Sequence, residues 1–228
     1  MGGYYISIHL KTDNPAQVTE AVTNAFTEAG FRLLSDEPAS VVVEDEDALP
    51  DSDNWYGVLV SGKSGHGWVS VYVDDWADSG LLAKSISESL GVPALEVWVA
   101  DDIHWGYTYF ESGAVKNRFA DEPAQVAESR EEAALYGGNA NALSAVLQVP
   151  LAQFAKTLQD AHAKAGQFAG GPLDTVALAV GLPFEHVFTG YDYFFSDDPE
   201  DYNVDLEDWP AFRHLAFQML KGRETLAE

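Results

Sequence analysis

The chain contains no cysteine. That excludes a disulfide framework, a thiolate metal site and a cysteine nucleophile. Cations are scarce: 12 Lys and Arg stand against 37 Asp and Glu, for a formal net charge of -25. So negative a chain repels phosphate backbones and anionic lipid surfaces, which excludes direct nucleic-acid binding, and it attracts basic proteins or divalent cations. No apolar run reaches membrane-spanning length, and no secretory apolar segment follows Met1, so the expectation is a soluble cytoplasmic protein with no membrane partner. Catalytic signatures are missing too. No Gly-x-Ser-x-Gly elbow occurs, and the histidines at 9, 66, 104, 162, 186 and 214 form no zinc-protease pair.

What is present is globular. Of 228 residues, 46% are hydrophobic and six are tryptophan, enough to build a core rather than a disordered chain. From Trp68 to Val73 side chains alternate across a strand, with Val69, Val71 and Val73 on one face and Trp68, Ser70 and Tyr72 on the other. The next segment carries Leu82, Ile86 and Leu90 at helical spacing between a capping Asp78 and a terminating Gly91. Leu95 to Val99 is again a strand, and Tyr107–Phe110 and Ala114–Phe119 form a hairpin across Glu111-Ser112-Gly113.

Upstream, Tyr4 to Leu10 alternates as a strand, and Asn14-Pro15 opens a helix that Gly30 ends. Phe31–Leu34 and Val41–Val43 are short strand candidates, and Trp55–Val60 should pair with the Trp68 strand across a glycine-rich turn. Strand-helix-strand thus occurs near residues 4–34 and 68–99, as in a ferredoxin-like duplication.

After Asp121 the signals turn helical. Pro123 opens a polar helix, Pro150 starts one bearing Leu151, Phe154, Leu158 and His162, Asp174 to Val180 forms another, and Trp209-Pro210-Ala211-Phe212 opens a last one. The fold expected is α+β: a mostly antiparallel sheet with two helices on one face over residues 1–122. A mainly helical region with an acidic aromatic segment, residues 123–228, should pack on it as one unit.

Three sites compete. The acidic loops, Glu44, Asp45, Glu46, Asp47, Asp51 and Asp53, and Asp197, Asp198, Glu200 and Asp201, would bind a basic protein, in the manner of inhibitors or immunity proteins. Alternatively, if the strands ending at Asp74-Asp75 and Asp101-Asp102 are parallel, those four carboxylates and His104 could converge at one sheet edge. Oxygen ligands with one imidazole suit Mg, Mn or Ca, in a metal-binding protein or an enzyme. Thirdly, Trp68, Tyr72, Trp98, Tyr107 and Tyr109 would form an aromatic sheet face able to stack a ligand, unless the later helices cover it. No resident cofactor is expected otherwise. Gly57 to Ser64 has the spacing of a phosphate loop, but its apolar residues read as a strand and no helix starts at Lys63-Ser64, so it is read as a hairpin turn.

Overall fold

A computed structural model of the chain describes residues 4–44, 55–62, 66–74, 78–195 and 212–220. Eight strands form one sheet: β1 (Tyr4–Leu10), β2 (Phe31–Pro38), β3 (Trp55–Val60), β4 (Val69–Val73), β5 (Pro93–Ala100), β6 (His104–Glu111), β7 (Ala114–Ala120) and β8 (Arg213–Met219). Their order is β2-β8-β3-β4-β1-β5-β6-β7, and every neighbouring pair is antiparallel. The class is therefore α+β.

Helix α1 (Pro15–Glu28) lies between β1 and β2 in the chain, and α3 (Ser79–Leu90) between β4 and β5. Each begins where a side chain supplies an acceptor to an otherwise orphaned N–H: Asn14 to Gln17 at 3.2 Å and Asp78 to Leu81 at 2.9 Å. Val18, Val22 and Phe26 of α1 and Leu82 and Ile86 of α3 share one buried cluster with Ile8, Leu10, Val58, Val60, Val69, Val71 and Val73. The valines of β4 are thus buried under α3, and this is the helix face of the sheet. Strands β5-β1-β4-β3 with α1 and α3 on one face have the split β-α-β arrangement.

The opposite face carries a second cluster. It joins Tyr5, Trp68, Leu95, Val97, Trp105, Tyr107, Tyr109 and Phe119 to Phe154 and Leu158 of α6 (Leu151–Ala163) and to Leu173 and Val176 of α7 (Gly170–Val180). The Trp68 indole N–H donates to the Val180 carbonyl at 3.0 Å, so its polar edge is satisfied inside this core.

Three local expectations are overturned. The last helix predicted to open at Trp209 is replaced, over the described part, by β8, inserted between β2 and β3. Leu215 and Phe217 enter the helix-face core while His214 and Ala216 face the other way, a period of two that the aromatic residues just upstream obscured. Val41–Val43 are not a strand: β2 runs on to Pro38 and α2 (Ala39–Glu44) follows. Here docking overrides β-branched propensity, since Ala39 and Val42 are buried and the Ala39 N–H donates to the Phe212 carbonyl at 2.9 Å. The polar helix expected from Pro123 is broken into α4 (Pro123–Val126), α5 (Arg130–Ala133) and a 3₁₀ turn, because Ser129 caps a new start by accepting from Glu132.

Candidate functional site

The acidic-loop residues Asp45, Glu46, Asp47, Asp51, Asp53, Asp197, Asp198, Glu200 and Asp201 lie outside the described residues, and Glu44 ends α2. Part of the described acidic surface lies on or beside α1 and β2, where Asp13, Glu20, Glu28, Asp36 and Glu37 are exposed, and α1 itself contains no Lys or Arg. Glu88, Asp101, Glu128, Glu131 and Asp160 are exposed elsewhere. Between described residues, Lys or Arg pairs with a carboxylate twice, at Lys156–Asp160 and Arg213–Asp36.

Strands β4 and β5 do run in the same direction, since each is antiparallel to β1 between them. Asp101 and Asp102 nevertheless form the turn that leads into β6. Asp101 and Asp102 have φ of 52° and 60°, and the Ile103 N–H closes the turn onto the Ala100 carbonyl at 3.2 Å. Two successive left-handed residues match the twist of a hairpin, and Asp tolerates that conformation better than most side chains. Asp102 accepts a hydrogen bond from the Tyr5 hydroxyl. His104 turns away to Asp121 and Glu122, with Nδ1 3.7 Å from a carboxylate oxygen of each. Asp121 is itself held by the Trp105 N–H at 3.1 Å. Asp74 follows β4 and Asp75 lies outside the described residues. Among the described residues no group of three or more His, Asp or Glu is placed to hold a metal ion.

The aromatic set divides between the faces. Trp68, Tyr72, Tyr107 and Tyr109 are at most 1% exposed, and Trp68, Tyr107 and Tyr109 sit in the cluster shared with α6 and α7. Trp98 does not join them. Its register partner in β1 is Ile6, and in β5 it is Leu95, Val97 and Val99 that share the face of Tyr107, which leaves Trp98 on the helix face and partly exposed.

Sequence reasoning missed a buried polar network on the Tyr72 face. His9 bonds Ser7 through Nε2 and Ser70 through Nδ1, each at 2.9 Å, and the Ser70 N–H donates to Ser61 Oγ at 2.8 Å. Nearby, the Tyr72 hydroxyl meets His186 Nδ1 at 2.9 Å, and the Tyr191 hydroxyl meets His214 Nε2 at 2.7 Å. Burial lowers the His9 pKa to about 3, with His186 adding to the effect, and lowers His214 to about 4. Burial likewise raises the Tyr72 and Tyr191 hydroxyls. The His9 and His214 imidazoles are therefore neutral, able to donate from one nitrogen and accept at the other, as their Ser and Tyr hydroxyl partners require. His9 is 0% exposed and His214 1%, so these two rings order the sheet from its interior, while His186 is partly exposed. The signal for it was the serine and histidine alternation of β1, where Ser7 and His9 share the face of Tyr5.

The chain matches no protein-family model, no curated protein and no solved structure.

Proposed function

We propose that the protein is a non-catalytic interaction module whose acidic surface engages a basic protein, in the manner of inhibitor or immunity-type proteins. The observation that carries this reading is the net negative charge. A formal -25 is spread over a chain with 12 Lys and Arg against 37 Asp and Glu. Such a surface steers a cationic partner from a distance and rejects anionic ones. Glu37 on the edge of β2 and Asp13, Glu20 and Glu28 on or beside α1 belong to the described part of the surface, and the acidic loops lie outside the described residues. The charged edge with Pro38 also discourages strand addition, which leaves side-chain electrostatics as the means of recognition.

The reading treats residues 1–122 and the chain from 123 onward as one packed unit, supported by the buried cluster that Tyr107 and Phe119 share with Phe154 and Leu173. The test is capture on the immobilised chain from an extract of its source cells, with bound proteins identified by mass spectrometry. A protein of high isoelectric point, retained at low salt and released as salt is raised, is the expected result. Recovery of neutral or acidic proteins only would remove the proposal.

A further inference from the structure

On the helix face, two rows of side chains cross β1, β5, β6 and β7: Ile8, Glu96, Thr108 and Arg118, and beside them Ile6, Trp98, Gly106 and Ala120. The first turn of α3 reaches Glu96, where Ser79 Oγ donates to the carboxylate at 2.5 Å. Past that turn, Trp98, Thr108 and Arg118 are all partly exposed. The Trp98 indole packs against Gly106, where any Cβ would collide with it, and the ring stays partly exposed. Arg118 lies 5.7 Å from the Tyr136 ring and, among the described residues, has no carboxylate within ion-pair distance. Burial raises the Glu96 pKa, while the Ser79 and Thr108 hydroxyls and the Arg118 charge act in the other direction.

We propose that the strip formed by Trp98, Glu96, Thr108 and Arg118 binds a neutral saccharide, with one pyranose ring stacked on the exposed part of the indole. A pyranose offers an apolar C–H face to an aromatic ring and, around its edge, hydroxyls that both donate and accept. Glu96, two residues along β5 from Trp98, supplies acceptors, and Arg118, across Thr108 on β7, supplies a planar fork of donors, a pairing that suits adjacent hydroxyls. Charge selects against other ligands. The overall field repels phosphates and carboxylates, and Arg118 repels a cation seated on the ring. This site is independent of the acidic surface.

The test is titration of the isotopically labelled full chain with maltotriose, cellotriose and triacetylchitotriose, read from amide and indole resonances. At least one probe should shift the Trp98 indole N–H and the Gly106 amide together. Trp98→Ala should weaken that binding by about tenfold or more, Arg118→Gln should weaken it without altering circular dichroism, and Trp98→Phe should retain part of it. Absence of any shift at Trp98 with all three sugars, or equal binding by Trp98→Ala and Arg118→Gln, would overturn the assignment.

Discussion

His9 shows how far one residue's surroundings set its chemistry. An imidazole normally titrates near neutrality, but without water and between two serine hydroxyls its charged form has nothing to compensate it. Because the folded pKa is depressed, the unfolded chain binds the proton more tightly. The stabilising contribution is therefore complete above the ordinary histidine range and is lost as pH falls toward about 4 for His214 and about 3 for His9. In that window each histidine removes on the order of 1.4 kcal/mol per pH unit. Imidazole nitrogen spectra at about pH 5 should show both rings neutral; a protonated His9 in the folded chain would contradict the buried network. Gly57 is constrained in a different way. A Cβ there would run into the Tyr191 ring and hydroxyl, so Gly57→Ala should displace that ring from His214 and destabilise the fold by about 1–3 kcal/mol in urea titration. Tyr191→Ala should absorb most of that cost.

The elements differ in how clearly the sequence declares them. The helices α1 and α3 were legible to within a residue or two because cap, apolar stripe and terminating glycine agree, and Asp78→Ala should lower stability by about 1 kcal/mol, measured by urea titration. The hairpin between β6 and β7 was equally plain. At Gly113 φ is 78°, and a Cβ would lie 2.6 Å from Glu88 Cβ, so glycine is obligatory in that turn. β8 was hidden, because a strand paired on both sides by segments far away in sequence carries no local turn signal. Phe217 stacks on Phe26 with centroids 4.2 Å apart and is 0% exposed, so Phe217→Ala should cost about 3–5 kcal/mol in urea titration. A loss near zero would mean that β8 is not part of the core. Trp98 was misplaced for a related reason: alternation fixes which residues share a face within a strand, but the neighbouring register decides which face that is.

At the scale of the whole molecule, charge is the feature that composition shows most plainly. Self-repulsion among net negative charges opposes the compact state, so added salt should raise the melting temperature as it screens the surface. The candidate sites read from residue type fared unevenly because type says nothing of accessibility. Four of the five rings chosen for stacking became core, and Asp101 and Asp102 became turn residues. The measurement that bears most directly on the acidic-surface proposal is the association rate with the captured basic partner as a function of ionic strength. Between about 0.05 and 0.5 M salt the rate constant should fall by about tenfold or more, with dissociation changing much less. An association rate indifferent to salt would contradict it.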